Sequence, residues 1–392
     1  MSKVELFVDG QKTDYIDLSL TRTVLSPVDS IQFTIIPNFN IANKNLYTGK
    51  AKVQTKAEVR IDNQLVFTGC ISVLTTESKG NEYSYTFGGR SITCDLIDCS
   101  IIPKTYYEND FLKLAKQVVA DNGLSSIFNV KADVSLPLLK ADPKKDNDES
   151  TFTGTKGQKQ SIATAKLGQK IYDFLTEYSY KLGIVLQSLP NGDLLLTRES
   201  IKSYNSKLIN KLFNNSNNIL RSKSRLDITN RFHRNIVYGE AGINLDVAGN
   251  FSGSENDNAL TEAVSLDDVI VKQRKKITLM PSQATQEELE VAAVFQENRL
   301  RANSYQYQCT VEGLKSDSGE LWEANKLIEV QDDVAQLNGL RLIQEVTYNV
   351  SSRGITTDLT LANKGALTLS NAGINSNVPT YGVPNSLIKQ ST

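Results

Sequence analysis

The sequence contains one histidine, His233, in the run Arg231-Phe232-His233-Arg234. A serine or cysteine nucleophile of the usual kind would need this imidazole as its general base. No serine of the chain stands in the Gly-x-Ser-x-Gly pattern that exposes such a nucleophile at a strand-to-helix turn. We therefore expect His233 to have a structural or surface role.

Two carboxylates, Asp95 and Asp98, lie three residues apart between Cys94 and Cys99. A carboxylate pair can act as general acid and base, as in glycosidases. The alternative is that both residues cap a turn at the edge of a β region. We favour this alternative because no other part of a catalytic set accompanies the pair.

Cofactor and metal motifs are also missing from the sequence. The acidic stretch 142–149 lacks the glycine that an EF-hand loop needs at its sixth position, and the stretch 154–157 lacks the Lys-Ser/Thr ending of a P-loop. The four cysteines do not have the paired spacing of a zinc site: Cys70, Cys94, Cys99 and Cys309. We therefore expect no catalytic, cofactor-binding or metal-binding residues and predict that the protein is not an enzyme.

Charge is balanced, with 43 basic and 44 acidic side chains and a formal net charge of −1. No overall field draws the chain to nucleic acid, so proteins are the expected partners. One basic cluster lacks interleaved aromatic residues and is expected at a solvated strand edge: Lys272, Arg274, Lys275 and Lys276. The few cysteines favour a reducing compartment, and we expect neither a classical export signal nor a membrane-spanning segment.

The length of 392 residues predicts two to four domains, and the first hundred residues are typical of β structure. Apolar alternation predicts strands at 4–8 and 59–61, closed by turns at Asp9-Gly10 and Asp62-Asn63. Further strands are expected at 65–74 and 83–87, on either side of a turn at 79–81. We assign residues 1–104 to a first β domain.

Residues 105–200 predict a small α+β domain. One amphipathic helix presents Phe111, Leu114, Ala115, Val118 and Val119 on one face, with Asp110 as N-cap and Gly123 at its end. A second helix presents Ile171, Phe174, Leu175, Tyr178 and Leu182 and stops at Gly183. A hairpin follows, with strands at 184–186 and 194–196 around Asn191-Gly192. The polar stretch 141–160 is expected to be a long surface loop.

The remainder predicts a polar connector at 201–230, a second β domain at 231–369 and an extended tail at 370–392. Thr285 and Glu288 form a capping box in front of a helix at 286–302, and the stretch 241–267 is expected to be mostly loop. The order of strands, turns and glycines in 59–87 is weakly repeated in 328–361, which suggests two related β domains.

Four stretches resemble the hub proteins of Mu-like contractile phage baseplates, a family related to the hub of T-even phages and to type VI secretion spike hubs. The most specific is 88–100, with the order glycine, Arg90, Ser91, a small residue, Asp95, Leu96, a hydrophobic residue, Asp98, Cys99 and Ser100. The others are the helix and hairpin of 168–198, the stretch 305–322 with Gly319-Glu320-Leu321-Trp322 before Asn325, and the hairpin of 340–361.

The resemblance implies an α+β, mainly β fold with two related β-barrel-like tube domains and an inserted small α+β domain. It implies a structural hub subunit that forms a homotrimeric ring and adapts a hexameric tail tube to a trimeric central spike. The implied partners are the spike, which would be a separate chain, the tail tube and tube-initiator proteins, the baseplate wedge proteins and the tape-measure protein. The implied location is the virion tail baseplate, assembled in the host cytoplasm.

Two alternatives stay open from the sequence. A tail-associated cell-wall-degrading enzyme would hydrolyse purified peptidoglycan. A peripheral receptor- or carbohydrate-binding module would bind a glycan array as an isolated trimer.

Overall fold

The structure, a computed structural model, describes residues 2–35, 55–79, 82–136, 138–139, 162–213, 216–239, 262–270, 273–280, 284 and 286–368. Most regular structure in these residues is β, which confirms the expected mainly β class. The predicted loop 141–160, the predicted tail 370–392 and the capping residue Thr285 lie outside the described residues. None of the described helices combines the length and the apolar character that a membrane span requires.

Seven strands form the first β region: β1 (Val4–Val8), β2 (Gln11–Thr13), β3 (Asp17–Thr23), β4 (Ser30–Ile35), β5 (Lys56–Ile61), β6 (Gln64–Lys79) and β7 (Glu82–Ser91). The predicted strands at 4–8, 59–61, 65–74 and 83–87 are all confirmed, whereas β2, β3 and β4 were not predicted. Asp62 and Asn63 have φ values of 49° and 68°, which is the backbone of a tight turn between β5 and β6. The predicted turn at 79–81 falls partly outside the described residues.

The middle of the chain forms a 3₁₀ turn and mixed short elements: Ile92–Cys94, α1 (Asp95–Asp98), β8 (Thr105–Tyr106), α2 (Phe111–Asp121), β9 (Val130–Ala132), β10 (Ala163–Thr164), α3 (Ile171–Lys181), β11 (Val185–Ser188) and β12 (Leu194–Thr197). Both predicted helices and the predicted hairpin are confirmed. The Asp110 carboxylate accepts a hydrogen bond from the Lys113 amide at 3.1 Å, as expected of an N-cap. Apolar side chains from Leu96 to Leu196 enclose a separate core here.

Nine further strands and one helix follow: β13 (Ser203–Asn210), β14 (Ile219–Leu226), β15 (Arg234–Tyr238), β16 (Glu262–Leu266), β17 (Lys275–Leu279), α4 (Gln286–Asn303), β18 (Tyr305–Glu312), β19 (Leu327–Asp332), β20 (Leu337–Ser351) and β21 (Gly354–Asn363). The helix expected at 286–302 is confirmed as α4. Strands β15, β16 and β17 form a small sheet on which α4 packs through Leu289 and Ala293. Residues 201–230 are not the expected connector, because they contain β13 and β14.

The two β regions are joined in one 13-stranded sheet rather than separated into two closed barrels. The joint is antiparallel pairing of β3 with β20, from Thr23 opposite Glu345 to Leu18 opposite Val350. It is possible because β20 is long: its first half pairs with β19, and its second half extends beyond β19 to reach β3. No barrel closes through strand pairing in the part of the chain that the structure describes.

The weak repeat in the sequence corresponds to a repeated strand order. A first unit runs β3-β4-β7-β6-β5 across the sheet, and a second unit runs β14-β18-β21-β20-β19 in the same sense. All neighbours within both units are antiparallel. The outer strands differ, since β1 is antiparallel to β5 whereas β13 is parallel to β19.

Candidate assembly surface

His233 belongs to a buried ionic cluster between the small sheet and α4. Its ring Nδ1 lies 3.0 Å from the backbone oxygen of Asp267, and the Asp267 carboxylate receives a 2.8 Å hydrogen bond from Nε of Arg231. Arg231 and Asp267 are almost completely buried. This geometry ties the segment before β15 to the residue that follows β16, and it gives the His233 ring a backbone partner.

Glu297 extends the same cluster from α4. Its carboxylate accepts hydrogen bonds from Ser265 and from Arg301, and Arg301 also lies 3.7 Å from Asp267. Burial, with a smaller contribution from the Asp267 charge, raises the pKa of Glu297 to about 7 although Arg301 opposes the shift. Sequence analysis missed this cluster because its members come from three separate segments and form no motif.

Asp95 and Asp98 both lie in the short helix α1, which follows β7. Asp98 is held by Arg90, whose Nη1 lies 3.1 Å from Oδ1, and this hydrogen bond lowers the pKa of Asp98. The ligand atoms of Cys94, Asp95 and Asp98 lie within 4.8 Å of one another. Burial, with a smaller contribution from the Asp95 charge, raises the pKa of the Cys94 thiol to about 11. The contact of Arg90 with Asp98 ties α1 onto β7.

The basic cluster lies at a strand edge, as expected. Strand β17 is an outer strand of the small sheet as described, and Arg274 precedes it directly. The guanidinium of Arg274 and the ammonium of Lys276 lie 5.3 and 5.9 Å from the centre of the Phe232 ring. Arg274 also donates to the backbone oxygens of Ile228 and Thr229. These contacts bind the cluster to its own chain, and Lys272 lies outside the described residues.

The large sheet has one apolar and one polar face. The apolar face carries the main hydrophobic core, which runs without a break from the first unit to the second. The opposite face carries polar side chains. Its charged side chains include Lys223, Glu345 and Asp358. Its hydroxyl and amide side chains are Ser19, Thr21, Gln32, Thr34, Thr86, Gln308, Thr310, Thr347, Asn349, Thr356 and Thr360. Several of these side chains bond across strands, including Ser19 with Asn349 at 3.0 Å and Thr21 with Thr347 at 2.9 Å. The polar face is suited to water rather than to a second core.

Strands β2, β13, β14 and the distal part of β6 each lack a paired neighbour on one side among the described residues. Of these, β6 and β14 expose large apolar side chains. Beyond Ile71, β6 pairs only with β7, and β14 pairs only with β18. We call residues 72–79 the β6 edge and strand β14 the β14 edge. Both expose apolar side chains: Val73 is 55% exposed, Leu74 47% and Leu226 38%. Unpaired backbone groups beside apolar side chains are templates for pairing with another chain, so these edges are the candidate assembly surface.

Part of the chain matches a known protein family, and most of it matches a known phage protein. The family described as the fourth domain of the Mu phage baseplate assembly protein GpP matches residues 286–370. The baseplate hub protein gp44 of Escherichia phage Mu is 22% identical over 370 residues, which cover 92% of this chain and 87% of that protein.

Solved structures share the fold. The 43 kDa tail protein of prophage MuSo2 from Shewanella oneidensis superposes with a TM-score of 0.72 at 20% identity, over 93% of this chain and 99% of that one. The E. coli c3393 protein, described as a type VI secretion component similar to T4 tail proteins gp27 and gp5, gives a TM-score of 0.50 at 11% identity over 91% of this chain and 76% of that one. Sequence and fold together relate this chain to the baseplate hub and tail proteins of Mu-like phages.

Proposed function

We propose that this chain is a structural baseplate hub subunit, three copies of which form a ring that joins a sixfold tail tube to a threefold central spike. The observation that carries the proposal is the repeat of one five-stranded unit in a single sheet, β3-β4-β7-β6-β5 and β14-β18-β21-β20-β19. Three chains with two units each would present six similar modules. Such a ring can meet sixfold symmetry on one side and threefold symmetry on the other.

The two faces of the sheet suit a ring wall. The apolar face already packs within the chain, and the polar face of hydroxyl and amide side chains is left for solvent. In the ring we expect the polar face to line the central channel. Charged side chains of both signs, including Lys223, Glu345 and Asp358, would lie among the hydroxyl and amide groups of that face.

The separate hydrophobic cores of the chain support a division into domains. We propose two barrel-like tube domains, at 1–104 and 231–369, with 105–200 as a separate inserted unit, supported by its own core. In the second region, hydrogen bonds from Asn218 bring the start of β14 to β13, including its amide on the Ile209 oxygen at 3.2 Å. These bonds join β13 to the start of β14 and support extending the second tube domain to include both strands.

The proposed partners are the central spike, the tail tube and tube-initiator proteins, the wedge proteins and the tape-measure protein. The proposed location is the tail baseplate of a virion or tailocin, assembled in the host cytoplasm. The proposed role is non-enzymatic. The kinship with the Mu hub and the fold shared with a relative of T4 gp27 and gp5 support this assignment.

The mass of the assembly in solution tests the ring. Sedimentation equilibrium of the full chain alone should give three times the 43.3 kDa of one chain, and its complex with spike and tube proteins should contain three copies of the chain. Electron microscopy of the same sample should show rings with a central channel. A chain that stays monomeric both alone and with its partners would contradict the proposal.

A further inference from the structure

We infer that the β6 edge of one chain pairs with the β14 edge of the next, antiparallel and in the register that β20 and β3 adopt within the chain. The inference rests on the proposed ring and adds the partner surface and the residue pairs. It starts from the equivalence of the two units. The two units of one chain are joined by the pairing of β3 with β20. The pairing between units of neighbouring chains can be derived from it residue by residue.

The β6 edge and the second half of β20 occupy equivalent places. Each strand is interrupted by one bulge, at Ser72 in β6 and at Gln344 in β20. Each then continues for seven paired residues to a hairpin with its neighbour, β7 or β21. Counting from the bulges gives these equivalent positions: Leu74 and Val346, Thr76 and Tyr348, Glu77 and Asn349.

Strand β14 occupies the place of β3. In the second unit Cys309 lies between Leu359 and Ser222, and in the first unit Phe33 lies between Phe87 and Leu18. Leu74 pairs with Phe87, and Val346 pairs with Leu359. Because Leu74 and Val346 are equivalent, Phe87 and Leu359 are equivalent too. The equivalent positions along β3 and β14 then follow by counting. The equivalent residues of the two strands are Ser19 and Lys223, Leu20 and Ser224, Arg22 and Leu226.

The pairing of β20 with β3 inside the chain predicts the pairing of the β6 edge with the β14 edge between chains. Within the chain the opposed pairs are Val346 with Arg22, Tyr348 with Leu20, and Asn349 with Ser19. Substituting the equivalent residues gives the pairs between chains: Leu74 with Leu226, Thr76 with Ser224, and Glu77 with Lys223.

The side chains placed opposite each other are complementary, although the construction used only strand pairing. Leu74 and Leu226 are 47% and 38% exposed in the chain and would cover each other on the core side. Glu77 and Lys223 carry opposite charges, lie on the polar side and have no ion-pair partner among the described residues. A shift of the register by one residue would place Leu74 and Leu226 on opposite faces of the sheet.

The contact is between two different surfaces, so each chain has one of each and can bind a neighbour on both sides. Head-to-tail contacts of this kind form a closed ring or an open filament, depending on the rotation between subunits. Repeating the geometry of the internal junction makes all six junctions alike, which is the condition for a ring with near-sixfold order.

Disulfide cross-linking tests the register. In a Cys99→Ser background of the full chain, Thr76→Cys and Ser224→Cys should cross-link under mild oxidation to a covalent trimer on a non-reducing gel. The matched control combines Ser78→Cys with Ser224→Cys, which moves one thiol two residues along the same face and should cross-link at least tenfold less. Mixing the two single-cysteine variants should give only heterodimers.

The outcomes separate the inference from the proposed function. A trimer by sedimentation that cross-links through the control pair, or through neither pair, would overturn the register and leave the ring intact. Failure to form a trimer, alone or with its partners, would remove both.

Charge exchange provides a second, milder test. Glu77→Lys alone and Lys223→Glu alone should each weaken trimer formation several-fold, and the double exchange should restore it. Lys116→Glu, on the exposed face of α2, should leave assembly unchanged. Single variants that weaken the trimer without rescue by the double variant would contradict the proposed pair.

Discussion

The two five-stranded units share a strand order but differ in what connects their strands. In the first unit β3 reaches β4 through residues 24–29, whereas in the second unit residues 227–304 intervene between β14 and β18 and contain α4 and the small sheet. The units also differ in their buried side chains, since Phe33 occupies the place of Cys309. The comparison indicates which parts are constrained: the order and antiparallel pairing of the strands are kept, and the connections diverge.

The largest expected difference between the units comes from the Phe33 and Cys309 positions. Phe33 is 1% exposed and its ring centroid lies 5.1 Å from that of Phe87, so Phe33→Ala should lower the free energy of unfolding by about 3–5 kcal/mol. Cys309→Ala removes far less volume and should cost about 1 kcal/mol. Urea denaturation of both variants measures the difference. Equal costs would contradict the expected difference between the two positions.

A pH effect should arise from the connection that only the second unit has. The pKa of Glu297 is raised from 4.5 to about 7 by burial, so this carboxyl group binds its proton more tightly in the folded chain than in the unfolded one. Its contribution to stability is therefore complete below about pH 4.5 and is lost as the pH rises through about 7. Glu297→Gln should flatten the melting temperature between pH 5 and pH 7 relative to the wild-type chain. An unchanged pH profile would contradict the assignment.

The smallest expected effect is at the joint between the units. Thr21 and Thr347 share a hydrogen bond at 2.9 Å across β3 and β20, and Thr21→Val removes it while keeping the shape of the side chain. The cost should be about 0.5–1.5 kcal/mol, because one half-exposed hydrogen bond is lost to water. Thr360→Val, on the same polar face within one unit, is the control. A loss of unfolding free energy well above that of the control would show that the joint between the units tolerates substitution less well than the units do.

The sequence predicted the elements whose signals are local. The helices α2 and α3 follow from apolar spacing and from the cap at Asp110, and the β5–β6 and β11–β12 turns follow from Asp62-Asn63 and Asn191-Gly192. By contrast β13 and β14 were missed. They carry many polar residues, and most side chains of β14 are exposed on both faces of the strand, so only the sparse alternation around Leu208 and Ile219 could have indicated strands.

The contacts that organise the molecule are the ones that sequence reasoning could not give. Strands β3 and β20 come from opposite ends of the chain, and no periodicity reports such a pairing. The Arg231, Asp267 and Glu297 cluster is likewise assembled from distant segments. The repeat between 59–87 and 328–361 was visible as a weak similarity, but its meaning depends on knowing the order in which the strands lie in the sheet.

The shared strand pairing of β3 with β20 has a mechanical consequence. Six consecutive residue pairs and one continuous core connect the units, so the two units move as one rigid body. In a ring of three such chains, the boundaries between chains would repeat this strand pairing with smaller side chains, Thr76 and Ser224 in place of Tyr348 and Leu20, so compliance would be concentrated there. The ring would then flex with threefold rather than sixfold symmetry. Its three most compliant positions would match the threefold symmetry of the proposed spike.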